Sequence, residues 1–294
     1  MQAWKDFMAT QTLSNEPIGD CAITDLSHLG IIRISGEDKW DFLQGQLTND
    51  INAVTPGASQ LSSYCSPKGR MLGSFWLFQR GDDLLIQLPK ERLAPTLQRL
   101  RMFVLRSKVT LSDASDELVR FGLSGDCAPA LLDAAPQEPW ATTTTGEVTM
   151  IRLPGDRPRF DLVGPLSAMT PLWSRVSEKA VVTGPDFWAL MDIRAGLPTV
   201  FEETAEAFVP QMANLQLLGG ISFTKGCYTG QEVVARMQYL GKLKRRMYLA
   251  HVESDTRPRP GDELFAAGST SGQGAGKVVD ARPAGAEPGF EQRR

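Results

Sequence analysis

The chain is predicted to adopt an α+β fold of two or three domains. Three observations predict it. Short apolar runs of strand length alternate with Gly- and Pro-rich turns through much of the first hundred residues. Helical spacing of apolar residues interrupts them at a few places only. After Gly241 the texture changes to brief segments punctuated by glycine, which suits a small β-barrel or sandwich. At 294 residues, with 42% hydrophobic and 22% charged, the chain is long enough for about two such cores. The reading divides it into 1–107, 108–240 and 241–294.

The elements follow in order. GIIRIS at 30–35 reads as a strand, and 36–47 as a helix carrying Trp40, Leu43 and Leu47. Residues 60–65 and 71–79 read as strands joined by the tight turn Ser66-Pro67-Lys68-Gly69, where Pro presets φ and Gly can take positive φ. Arg80-Gly81-Asp82-Asp83 turns into a third strand at 84–88. Leu93, Leu97, Leu100 and Val104 line one face of a helix over 91–105. Further strands fit 118–123, 148–153 and 159–163, with helices at 128–134 and 168–178 and a loop at 135–146. Residues 187–195 form a helix stopped by Gly196 and Pro198, followed by an acidic loop or short helix at 202–207. Residues 244–252 alternate as a strand should.

Composition excludes several classes. The net charge is −3 and the pI near 5.6, which argues against a general nucleic-acid coat and against direct nucleic-acid binding. No run approaches the ~20 apolar residues of a membrane span, and the first ten residues lack a signal-peptide core, so a cytoplasmic location is expected. Cys21, Cys65, Cys127 and Cys227 are widely spaced with no CxxC pair, so no disulfide framework is expected. Two histidines, His28 and His251, give a metal site few ligands, and none is predicted. GxGxxG, Walker A, HExxH and GxSxG are all absent.

Chemistry concentrates in 217–232, LLGGISFTKGCYTGQE. Thr229-x-x-Glu232 has the form of a capping box and predicts a helix from Gly230 to about Tyr239. Cys227 then precedes a helix start and lies two residues from Lys225, and both features favour a thiolate. The free amides there could also hold an anionic group. A plainer reading fits as well: Glu232 only caps, and Cys227 is a small buried hydrophobe. Trp188 offers a flat face for a heterocycle, or a core side chain beside Phe187, Leu190 and Met191. Lys242 to Arg246 is a basic run that could meet a polyanion or simply link two domains. Lys68 and Arg70 could rim a pocket or belong to the hairpin alone.

Lys225-Gly226-Cys227-Tyr228-Thr229-Gly230-Gln231-Glu232 resembles the K-G-C-[FY]-x-G-Q-E signature of the YgfZ folate-binding proteins. That family is similar in fold to the aminomethyltransferase, or T-protein, of the glycine cleavage system. Gly36-x-Asp38, Phe42 to Asp50, Pro67-Lys68-Gly69 and Phe208-Val209-Pro210-Gln211-x-x-Asn214-Leu215 agree with it, and the likeness spans about 20–280. It implies three subdomains around a central cavity, the last a small β-barrel. Tetrahydrofolate, or a derivative, would occupy the cavity with Cys227 as a reactive thiol nearby. The implied activity is support of iron–sulfur cluster assembly or repair, with client or assembly proteins as partners and downstream effects on tRNA modification. Lys225, Gly226, Tyr228, Gln231, Trp188 and Arg194 are the implied folate-site residues, Trp188 at an aromatic position that meets the pterin, and Lys225 would assist the thiol.

The departures bear on enzymology. Gly69 to Ser74 stands where the T-protein has G-G-x-x-D-D, so the aspartate for aminomethyl transfer is missing. Gln231 replaces an arginine. Arg194 replaces the glutamate of R-x-E-x-G, so a guanidinium stands where a carboxylate would meet the pterin's donors. Arg194 could instead meet a carbonyl or the glutamate tail. Two other functions stay open: a tetrahydrofolate-dependent one-carbon transferase, and a non-catalytic RNA- or protein-binding module. The final residues, 286–294, are poor strand material, so the C-terminal barrel is expected to be incomplete.

Overall fold

The computed structural model describes residues 2–13, 20–265 and 274–284. Its elements are α1 (Gln2–Ala9), β1 (Cys21–Asp25), β2 (Leu29–Ser35), α2 (Lys39–Gln44), β3 (Gln60–Cys65), β4 (Met71–Arg80), β5 (Asp83–Pro89) and α3 (Lys90–Arg101). They continue with β6 (Thr110–Asp113), β7 (Val119–Gly125), β8 (Thr142–Thr145), β9 (Val148–Leu153), β10 (Arg159–Gly164) and α4 (Leu166–Ser177). Last come β11 (Val181–Thr183), α5 (Pro185–Arg194), α6 (Gln231–Tyr239), β12 (Glu263–Leu264) and β13 (Gly276–Lys277).

A five-stranded antiparallel sheet has the order β3-β4-β5-β2-β6. Its strands alternate, apart from a bulge where β3 meets the start of β4. Ile32, Ile34, Leu77, Leu84 and Ile86 face α2 and α3, while Ile31, Leu61, Phe78 and Leu85 face the other way. A six-stranded sheet has the order β11-β1-β7-β10-β9-β8, with β1 and β11 parallel and the other pairs antiparallel. Its outer face carries Phe121, Leu123, Phe160 and Leu162, covered by α1 and α4. Trp173 meets both Trp4 and Phe121 edge-on, at centroid distances of 5.5 and 5.2 Å. The inner faces of the two sheets share one core of Leu61, Trp76, Leu85, Ile151, Val163 and Trp188, extended by Leu215 and Val234 from the C-terminal half.

The hairpin at 66–69 forms as its composition dictates: Gly69 takes φ +66° and its amide donates to the Ser66 carbonyl at 2.8 Å. Three strands escaped the sequence reading because each is short or edge-placed: β6, β11 and the threonine run β8 inside the expected loop 135–146. The fourth, β1, leaves the N-terminal segment to sit inside the six-stranded sheet. Residues 128–131 make only a short 3₁₀ turn where a longer helix is expected.

Two expectations are corrected. Cys21 and Cys127 form a disulfide, with Cα atoms 5.7 Å apart. The pairing of Cys21 with Gly125 across β1 and β7 brings the two thiols together, which linear spacing does not reveal. The small C-terminal barrel does not form among the described residues, where β12 and β13 make a two-stranded ribbon only. Residues 244–252 alternate in polarity but find no partner strand among the described residues. The Met247 amide instead donates to the Met212 carbonyl at 2.8 Å, and Tyr248 and Leu249 are exposed. Gly268, Gly272 and the tail at 286–294 lie outside the described residues. No described helix is long and apolar enough to cross a membrane.

Candidate functional site

The segment leading into α6 is pinned to the five-stranded sheet from both ends. The Ser222 amide donates to the Thr48 carbonyl at 3.0 Å, and the Thr48 hydroxyl returns a bond to the Gly220 carbonyl at 2.8 Å. Asn49 Nδ2 donates to the carbonyls of Gly219 and Leu61 at 2.7 and 2.9 Å. Lys225 then reaches back. Its Nζ donates to the carbonyls of Leu47 and Asn49, both at 2.7 Å, and lies 5.3 Å from the Tyr228 ring centroid. Burial lowers the Lys225 pKa to about 8, against the opposing pull of the Asp50 carboxylate. Two of its three ammonium protons thus hold the loop, which leaves little for the neighbouring thiol.

At the far end Gly230 takes φ +84° with its Cα against the hairpin; a Cβ there would stand 2.5 Å from the Ser66 carbonyl oxygen. That left-handed residue is the helix's N-cap, and no side chain caps α6. The capping box is therefore not made: Glu232 pairs instead with Arg236, one turn on, at 2.9 Å. Gln231 Nε2 donates back to the Gly226 carbonyl at 3.4 Å. Between these anchors Cys227 is exposed and unpaired. Its neighbour Tyr228 is buried, and burial with the nearby Cys65 holds the phenol well above its ordinary pKa. Cys65 is buried too, and its thiol is pushed up to about 12, with a smaller opposing effect from the Ser63 hydrogen bond. Lys225, Gly226, Cys227, Tyr228 and Gln231 thus form one built loop.

Trp188 and Arg194 sit on a different element, α5. Trp188 is buried, with its ring edge over Gly122, where any Cβ would come within 2.3 Å of it. The Arg159 guanidinium lies 5.4 Å from the ring centroid. Arg194, in the last turn of α5, is half-buried.

Around Trp188 lies a polar cluster that sequence reasoning missed. Gln87 of the five-stranded sheet donates through Nε2 to Asp161 Oδ2 of the six-stranded sheet, so the two sheets are joined by one bond. Asp161 is fully buried; burial pushes its carboxyl up to about 7, opposed by the Gln87 bond and then by Arg120. Burial lowers Arg120 to about 10. Arg159 pairs with Asp192 at 2.8 Å. Asp161 Oδ1, Gln87 Oε1, Arg120 Nε, Trp76 Nε1 and Trp188 Nε1 are all buried without a hydrogen-bond partner. Folded proteins leave few such groups, so a concentration of them marks a place where something polar belongs. The available signal was a charge at an inward position of an apolar strand, in VRFGLSG and RFDLVG.

Ser74, at the second aspartate position of the aminomethyltransferase pattern, is committed structurally. Its hydroxyl donates to the Pro198 carbonyl at 2.6 Å and accepts from the Val200 amide at 3.1 Å. Among the described residues no group of three or more His, Cys, Asp or Glu is placed to hold a metal ion.

Residues 15–153 match the family model of the GCVT N-terminal domain. In three dimensions the chain is similar to the glycine cleavage system aminomethyltransferase T from Bartonella henselae, with a TM-score of 0.62 at 14% identity. That match takes in 75% of this chain but only 64% of the other, and it shows the shared fold alone. Among curated proteins, the tRNA-modifying protein YgfZ of Colwellia psychrerythraea is 34% identical over 83% of this chain and 75% of its own length. The proteins of the same name from Hamiltonella defensa and Yersinia enterocolitica are 34% and 32% identical, over 81% and 82% of this chain and 72% and 74% of their own. Identity of this extent, together with the intact loop at 225–232, makes the chain a member of the YgfZ family.

Proposed function

We propose that the protein is a cytoplasmic, folate-binding accessory factor that supports iron–sulfur cluster assembly or repair, with tRNA modification as a downstream beneficiary. The observation that carries this is Cys227, exposed and unpaired on a loop that Lys225 and Gln231 hold in place. A thiol held out on a rigid frame suits contact with a client protein better than a core role. Lys225 is on this reading a positioning residue: its bonds to Leu47 and Asn49 fix where the thiol stands.

The polar cluster between the sheets has the donor and acceptor chemistry that the pterin of tetrahydrofolate needs. A pterin presents adjacent N–H donors and a carbonyl, and Asp161 and Gln87 offer unused acceptors while Arg120 and Trp188 offer unused donors. Asp161 would replace the carboxylate that Arg194 does not supply. Trp188 would meet the pterin through its indole N–H, since its benzo edge packs on Gly122 and Arg159 lies over its ring. Bound tetrahydrofolate supplies a reduced pterin able to carry a one-carbon unit. Aminomethyl transfer of the T-protein kind is disfavoured, because Ser74 is no general acid/base and is locked between Pro198 and Val200.

Two measurements test the reading. Tetrahydrofolate titrated into the protein should quench tryptophan fluorescence saturably, and Asp161→Asn and Trp188→Phe should weaken binding by about tenfold each. Cys227→Ser should fold and bind folate normally, yet fail to restore iron–sulfur enzyme activity in cells lacking the native protein. Full restoration by Cys227→Ser would remove the thiol from the function.

A further inference from the structure

Buried polar atoms without partners also gather on the opposite face of the five-stranded sheet, beneath α3. Across β3 and β4, Tyr64 pairs with Gly73 while Cys65 pairs with Met71, so Leu72 is an extra, bulged residue. The bulge, and the absence of a side chain at Gly73 beside Tyr64, leave a cavity of about 260 Å³ lined chiefly by Tyr64, Leu72, Arg92, Thr96 and Arg99. Arg92 Nε and Thr96 Oγ1 are buried there with no hydrogen-bond partner, and Tyr64 Oη and Arg99 Nε, buried beside them, have only each other to turn to. Tyr64 is 0%, Thr96 3% and Arg92 7% exposed.

The lining has a consistent chemistry. Two guanidinium groups face it, and no Asp or Glu does. Arg92 is held in place by one donation to the Leu72 carbonyl at 3.1 Å, which leaves its Nε–H over. Arg99 lies 6.0 Å from the Tyr64 ring centroid. Burial raises the pKa of Tyr64 against the opposing charge and hydrogen bond of Arg99, so its phenol keeps the proton and can donate. Every orphaned group is therefore able to donate, and the two cations need an acceptor that carries charge. Arginine clusters of this kind suit oxygen anions, whose lone pairs match the fork of N–H groups. The volume is below the ~300–1,000 Å³ of cofactor-sized sites, so a folate does not fit.

We infer that this cavity is a binding site for a small oxyanion, a phosphate or carboxylate group, seated among Tyr64, Arg92, Thr96 and Arg99. It is independent of the folate reading, since it lies on the other side of the sheet from Gln87 and Trp76.

The full chain, titrated calorimetrically with sodium phosphate and separately with sodium acetate against sodium chloride of equal ionic strength, tests it. The expected result is saturable binding of one anion per chain, with a melting temperature that rises with anion concentration. Binding should weaken about tenfold in Arg99→Gln and in Thr96→Val, while tetrahydrofolate quenching is unchanged in both. Arg99 is half-exposed, so its replacement leaves the core intact; circular dichroism verifies the fold of each variant. A response to phosphate alone assigns a phosphoryl group, and one to acetate alone assigns a carboxylate. No saturable binding beyond chloride, or equal affinity in both folded variants, overturns the inference and leaves a cavity filled by water.

Discussion

Asp161 is the residue whose environment has the clearest consequence in solution. Its carboxyl is raised from an ordinary 3.8 to about 7, so between those values the folded chain holds a proton that the unfolded chain has lost. The stability this group contributes is therefore complete below about pH 4 and is lost as the pH climbs through 7. Asp161→Asn keeps the shape and the acceptor for Gln87 without the titration. Urea unfolding from pH 4 to 8 should show a decline in wild type that the variant flattens. The two free thiols should also separate in behaviour. Cys65 is buried with its pKa pushed up to about 12, whereas Cys227 is exposed, so iodoacetamide on the native protein should modify Cys227 alone, as read by peptide mass spectrometry. At this scale the loop at 225–231 was legible because its residues are contiguous. Gln87 and Asp161 were not, because 74 residues separate a pair that only the docking of two sheets brings together.

At the scale of elements, the start of α6 teaches most. The sequence Thr229-x-x-Glu232 satisfies the pattern of a capping box, yet tertiary contact decides otherwise. Gly230 is needed in a left-handed conformation so that the chain can press against Ser66 and Gly69. Gly230→Ala should therefore cost about 1–3 kcal/mol from backbone strain alone, with a further penalty from the clash with the Ser66 carbonyl. Thr229→Ala, in contrast, should be close to neutral, because no side chain caps this helix. A pair of denaturant curves distinguishes the two mechanisms. The hairpins and long strands of the first sheet were readable because turn residues and alternation are local signals. The strand expected at 244–252 was misread for the complementary reason: alternation is necessary for a half-buried strand, but a ladder also needs a neighbour.

For the molecule as a whole, the disulfide closes a loop of 106 residues across the six-stranded sheet. Breaking it with dithiothreitol, or by Cys127→Ala in combination with Cys21→Ala, should lower the unfolding free energy of the oxidised protein by about 2–5 kcal/mol. The reduced form should nevertheless stay folded, since Trp4, Phe121 and Trp173 pack beside the pair independently of it. In a reducing compartment such thiols stay reduced, and there the reduced protein's melting curve is the relevant one.

The placement of β1 has a temporal meaning. The five-stranded sheet is complete within residues 29–113, whereas β1 must wait for β7 on one side and β11 on the other. Thr24 meets Thr183 across 159 positions of chain. In the folding chain β1 is thus among the last strands to be secured on both sides, and long-range pairing of this kind is slow. Until β11 is in place, the edge of Ala22, Ile23 and Thr24 that faces it has no ladder, and such an open apolar edge invites pairing with another chain.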